Sequence, residues 1–352
     1  MRRKTFIDAV GARARQAAAG LAVAVLAAGV LTVTTSVVPA ATGAGASVHA
    51  KGGCAARAIS RTSTVRIQLE GTSAGRLPLV QVCIDGQGPY PFLVATGAGS
   101  SVITPALARK LRLRRAAATS VRGVTCVATT PQVKVKYWSM GGVRLTGQEV
   151  LTAGVPSQGM KHPPKGVIGS DVLSRFGAVG IDYHTRKLTV LQREAPAPKG
   201  NLYVLGQATA VAPSVLVKGA TKASNPLRVF ETPTGTIVAS PVTVGGHTEQ
   251  LSVDSGSAES ALVPAIVSSL KLHPGGRHVA LSGVGCKGTA TSFASGAWAF
   301  GGVSLRDAAL VSMPIAGTVN SGLQGILGAD ALFAYGAAIL SYTEGHVWLT
   351  AG

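Results

Sequence analysis

The chain is 352 residues long, 46% hydrophobic and 13% charged, which excludes a disordered polyelectrolyte and allows buried cores. Its 33 Lys/Arg outweigh 14 Asp/Glu, giving a formal net charge of +19. The cations are spread without a long run and aromatics are few, so a solvated basic surface is expected and nucleic acid is not the expected partner.

In chain order, Arg2, Arg3, Lys4, Arg13 and Arg15 come first, and Ala17 to Val33 is apolar apart from one Thr. This pattern predicts a secretory signal over residues 1–46, with cleavage after Ala46 or after Ala50. The alternative is an uncleaved anchor, although an apolar run of 17 residues is short for a bilayer. No later stretch is long and apolar enough to span, so the mature chain is expected to be secreted without a membrane span. Four cysteines in an exported chain predict two disulfides, with three connectivities open. Cys54–Cys83 and Cys126–Cys286 are the expected pairs. No spacing fits a zinc site, and no metal or cofactor is implied.

The body reads as mostly β. Thr64–Glu70 and Leu77–Ile84 are rich in Val, Ile and Leu and alternate in polarity, and Asp85-Gly86 is a hairpin signal. Phe92-Leu93-Val94 is a short strand. Thr104-Pro105 opens a short helix, with Thr as N-cap, Pro at the first helical position, and Leu107, Leu111 and Leu113 facing inward. Val263-Pro264 repeats this without the polar cap. Residues 193–201, Pro-rich and polar, form a predicted linker between a first half at 51–192 and a second at 202–352.

The halves are copies. Ala95-Thr96-Gly97 stands where Asp254-Ser255-Gly256 stands, 159 positions later. The same offset joins Pro105 to Pro264, Leu111 to Leu270, Gly169 to Gly328, Asp171 to Asp330 and Tyr183 to Tyr342. It becomes 160 for Gly123 with Gly283 and Cys126 with Cys286, as a one-residue insertion would produce. So long a period fits duplicated domains, not a solenoid.

Val253-Asp254-Ser255-Gly256-Ser257-Ala258 resembles the hydrophobic-Asp-Thr/Ser-Gly signature of two-lobed aspartic peptidases, the pepsin and retropepsin group. Val94-Ala95-Thr96-Gly97-Ala98 matches it except at the acid. The family's second signature is met by Val167-Ile168-Gly169 and Ile326-Leu327-Gly328, each glycine 74 positions after the acid position. The resemblance implies an all-β fold of two homologous β-barrel-like lobes with a cleft between them and few short helices. It also implies that Asp254 is one catalytic acid and that Ala95 occupies the place of the other. Thr96 and Ser255 would brace the two loops from below, and Gly97 and Gly256 would permit the tight turns. Gly123, Cys126, Gly283 and Cys286 would fall in hairpin flaps over the cleft. The expected ligand is a peptide or protein bound by a monomer.

Paired acids activate water because one is base while the other is proton donor. A methyl group at position 95 can do neither, so hydrolysis is expected to be lost or strongly reduced. Three accounts of Ala95 stay open: a natural pseudopeptidase, an engineered inactive form, or a dimer that pairs Asp254 across chains. A non-catalytic peptide-binding module is the alternative function, and a basic surface adhesin a third. Asp171 and Asp330 read as helix-start caps. Gly71-Thr72-Ser73-Ala74-Gly75 lacks the helix a nucleophile elbow needs, and Gly283-Val284-Gly285-Cys286-Lys287-Gly288 lacks a βαβ unit.

Overall fold

A computed structural model describes residues 54–55, 61–72, 75–122, 127–157, 159–192, 221–232, 235–283, 286–305, 309–315 and 322–351. The predicted signal at 1–46 and linker at 193–201 lie outside these residues. Strand dominates, as the alternating sequence requires. Among the described residues thirteen strands form one sheet and ten the other, with four short helices: α1 (Pro105–Lys110), α2 (Ser170–Leu173), α3 (Pro264–Ser269) and α4 (Ala329–Tyr335). No helix among the described residues is long and apolar enough to cross a membrane.

The predicted hairpin turns at Asp85-Gly86, both at positive φ, between Arg76–Ile84 and Gln87–Val94. Thr104 caps α1 by accepting from the Leu107 N–H, at 3.3 Å, while Val263 precedes Pro264 of α3 without a side-chain cap. Leu107 and Leu111 are buried, and Leu113 packs on the core partly exposed. Cys54 and Cys83 are joined by a disulfide. Cys126 lies outside the described residues, and with it the expected Cys126–Cys286 pair.

One strand arrangement occurs twice. Gln87–Val94 runs parallel to Gly166–Ile168, which lies antiparallel to Val102–Ile103. In the second copy His247–Val253 runs parallel to Gly325–Leu327, which lies antiparallel to Ala261–Leu262. A strand near the end of each copy joins the two: Phe176–Asp182 pairs with Gly336–Ser341, Ala337 opposite Asp182 and Ser341 opposite Ala178. This shared sheet is apolar, with Val179, Ile181, Ala338 and Leu340 all fully buried. Its burial fixes the copies against each other.

Candidate functional site

Two strand ends meet here. Val94 leads into the turn 95–98 and Val253 into the turn 254–257, each closed by the fourth residue's N–H on the first residue's carbonyl at 3.3 Å. The Ala95 N–H donates to the Ile168 carbonyl and the Asp254 N–H to the Leu327 carbonyl, both at 3.0 Å. The two hydrophobic-hydrophobic-Gly segments therefore back the two turns in the same way. Gly169 and Gly328 take part in a matched network. Ser101 Oγ accepts from the Gly169 N–H at 2.9 Å and donates to Asp171 Oδ1 at 2.7 Å; Ser260 Oγ accepts from Gly328 and donates to Asp330 at the same distances.

The turns interlock across the copies. Thr96 Oγ1 donates to the Val253 carbonyl at 2.7 Å, and Ser255 Oγ donates to the Val94 carbonyl at 2.7 Å. Each hydroxyl also accepts from the other's backbone N–H, at 3.1 and 3.3 Å. All four groups are buried, so losing one hydroxyl strands a donor and an acceptor. Gly97 and Gly256 are required by closeness rather than by φ. A Cβ on Gly97 would lie 2.4 Å from Asp254 Cβ, and one on Gly256 would lie 2.3 Å from Ala95 Cβ.

Ala95 and Asp254 thus sit on facing turns, each against the other copy's glycine. Asp254 Oδ1 accepts from the Gly256 N–H at 2.8 Å and the Gly97 N–H at 3.1 Å, and Oδ2 accepts from Ser257 Oγ at 2.9 Å. Burial nevertheless lifts its carboxyl above the ordinary aspartate range, the three donors offsetting this only in part. On the other side Ala95 is buried in an apolar cluster with Leu77, Leu79, Leu93, Val102 and Val121. The position equivalent to Ser257 is Ala98, so the first turn lacks both a carboxylate and a hydroxyl partner for one.

Asp171 and Asp330 lie in the first turn of their helices and, as expected, their carboxylates accept from N–H groups there, those of Val172 and Ala331. The N-cap residues are Gly169 and Gly328, and neither gives a side-chain cap. The two carboxylates mainly tie the helix to the loop after the turn, through Ser101 with Gln148 and through Ser260. Burial raises both carboxyls. Ser101 and Ser260 were not singled out from sequence, although their recurrence at the same offset was a readable signal. In the proposed flap regions, Gly283 pairs with Cys286 at the end of a hairpin formed by Pro274–Gly283 and Cys286–Ala294. Gly123 and Cys126 lie outside the described residues.

One asymmetry was not visible in the motifs. Tyr342 OH lies 3.3 Å from Ser170 Oγ, which also donates to the Thr96 carbonyl. Tyr183 is the equivalent of Tyr342, but the equivalent of Ser170 is Ala329. Tyr183 OH is accordingly buried without a hydrogen-bond partner among the described residues.

Residues 80–172 match the aspartyl protease family, a span containing the Ala95 turn and Val167-Ile168-Gly169. A comparison with curated proteins finds no match for the chain.

Proposed function

We propose, from the aspartyl protease match of residues 80–172, that this chain is an exported aspartic-peptidase-like protein with only one acid at its seam. In this reading it receives an extended peptide between its halves and hydrolyses it weakly or not at all. The observation that carries it is the facing of Ala95 and Asp254 on two interlocked turns. An aspartic peptidase needs one carboxylate to take a proton from water while the other gives one to the scissile carbonyl. Asp254 alone can do one of these at a time. Its oxygens are held by the Gly97 and Gly256 N–H groups and Ser257 Oγ, and Ala95 offers no second carboxylate to share the work.

Peptide binding would use backbone pairing along the hairpin arms Arg114–Arg122 with Val127–Met140 and Pro274–Gly283 with Cys286–Ala294. A dimer that brings in a second acid is disfavoured, because the Thr96–Ser255 interlock is already complete within one chain. The Cys54–Cys83 disulfide suits an oxidising compartment and supports export.

The test is peptide hydrolysis by the native chain, by Ala95→Asp and by Ala95→Asp with Asp254→Asn, using casein and a peptide library from acidic to neutral pH. General acid–base catalysis contributes about 10²–10⁴ in rate, so Ala95→Asp should raise turnover by at least that order and the double variant should lose it. Native activity that Asp254→Asn abolishes would overturn the loss-of-function reading. A folded Ala95→Asp protein that binds peptides without cleaving them would favour the peptide-binding module.

A further inference from the structure

The cations are unevenly divided between the two copies. Residues 61–192 hold 17 Lys/Arg and 5 Asp/Glu, whereas residues 202–352 hold 7 of each. Since both copies share one backbone arrangement, the second is an internal control for what the fold requires.

The contrast is sharpest at the end of the first helix. The segment Arg109-Lys110-Leu111-Arg112-Leu113-Arg114-Arg115 carries five cations, all exposed, while Leu111 is buried and Leu113 packs on the core. Its counterpart is Ser268-Ser269-Leu270-Lys271-Leu272-His273-Pro274. The backbones agree closely. Arg112 has φ 51° and Lys271 φ 50°. The Leu111 N–H donates to Leu107 and the Leu270 N–H to Ile266, both at 2.9 Å. Leu113 and Leu272 close the turn at 3.1 and 3.2 Å. The two leucines and one long residue at positive φ are therefore what this turn needs; the other four cations are surplus to it.

Across the sheet, Arg114 pairs directly with Lys134, and Lys136 follows on the same strand, both lysines exposed. Their counterparts in the second copy are Ala294 and Gly296. Like charges directly opposite each other in a sheet are destabilising. Among the described residues, of these seven cations only Lys134 has an ion-pair partner, Glu149 at 3.0 Å. Charge on an outermost strand also blocks unwanted strand pairing. The corresponding outermost strand, Pro274–Gly283, meets that need with Pro274 and Arg277.

We propose that Arg109, Lys110, Arg112, Arg114, Lys134 and Lys136 form a docking surface for an acidic polysaccharide. Clustered, largely unneutralised cations on a fixed turn and sheet favour a polymer with repeated anionic groups. A bilayer fits less well, because the exposed large hydrophobics among the described residues, Val229 and Phe333, both lie in the second copy. Nucleic acid fits less well too. The ring beside the patch, Tyr90, is already covered by Lys110 Nζ, 5.4 Å from its centroid.

The test uses the full chain and heparin as the acidic glycan. A patch variant takes residues from the second copy, Arg109→Ser, Lys110→Ser and Arg114→His. A control removes three cations elsewhere in the first copy, Arg66→Gln, Arg186→Gln and Lys187→Gln. Losing three polyanion contacts should weaken heparin binding about tenfold at moderate salt and flatten its salt dependence, while the control stays close to native. Equal weakening by both variants would reduce the effect to overall charge and overturn the proposal. So would absent heparin binding, or tighter native binding to phosphatidylglycerol vesicles or duplex DNA than to heparin.

Discussion

Placing a serine at position 329 tests whether the copies are equivalent down to single hydroxyls. In the native chain Ser170 bridges Tyr342 OH and the Thr96 carbonyl, whereas Ala329 leaves Tyr183 OH buried and unpaired among the described residues. Tyr183 lies against α4, its ring edge-on to Phe333 with centroids 5.9 Å apart and its N–H on the Gly336 carbonyl. A serine in place of Ala329 should reach Tyr183 OH and the Ser255 carbonyl. A net hydrogen bond is worth about 0.5–1.5 kcal/mol, and an unpaired buried hydroxyl costs about 1–3 kcal/mol. Ala329 is fully buried, so fitting one oxygen there takes back part of the gain. Ala329→Ser should therefore stabilise by about 1 kcal/mol, a rise in Tm of about 1.5 °C. The assay is thermal and urea unfolding of a double-mutant cycle with Tyr183→Phe. In the native background Tyr183→Phe removes an unpaired buried hydroxyl and should stabilise by about 1 kcal/mol. In the Ala329→Ser background it should remove the gain. A destabilised Ala329→Ser with no coupling to Tyr183 would refute the equivalence at this point.

Ser260→Ala leaves the Gly328 N–H without its acceptor and Asp330 without its hydroxyl donor; a loss of about 2–3 kcal/mol in urea unfolding is expected, and Ser101→Ala should match it in the first copy. Gly97→Ala drives a Cβ against Asp254 and should destabilise by at least about 2 kcal/mol, with lower expression as the simplest readout. Asp171, Asp254 and Asp330 have folded pKa values raised above 3.8, chiefly by burial. Between 3.8 and those raised values the folded state holds protons that the unfolded chain has released. Their contribution is thus fully present below 3.8 and is lost as pH rises through the folded values. Asp254→Asn should flatten part of that dependence and raise stability at neutral pH, read from urea midpoints in acidic and neutral buffer. Glu70 runs the other way. Burial raises its carboxyl, but the His162 and Lys161 N–H groups and the His162 ring outweigh that and hold it low. Its stabilisation is lost as pH falls through the lowered value, so Glu70→Gln should be most costly at neutral pH.

Much of the site could be read in the sequence because its parts are local or repeated. The Asp85-Gly86 turn, the Thr104 cap with Pro105, and the small residues around Ala95 and Asp254 act over a few residues, where backbone sterics and nearby hydrogen bonds decide the conformation. The duplication supplied the rest, since matching Gly169 with Gly328 and Tyr183 with Tyr342 locates both turns and the strands behind them. Ser101 and Ser260 were within reach of the same comparison, but lone serines carry no distinctive chemistry until their partners are known.

The tertiary structure decided what crosses between the copies. It put the Gly97 N–H on Asp254 from the opposite turn, made Thr96 and Ser255 exchange partners, and left Tyr183 OH without a mate among the described residues. These contacts join residues about 160 positions apart in the chain. Turn chemistry and hydrophobic periodicity carry no information over that range; it is the burial of the shared sheet Phe176–Asp182 with Gly336–Ser341 that sets the two copies close enough to bond.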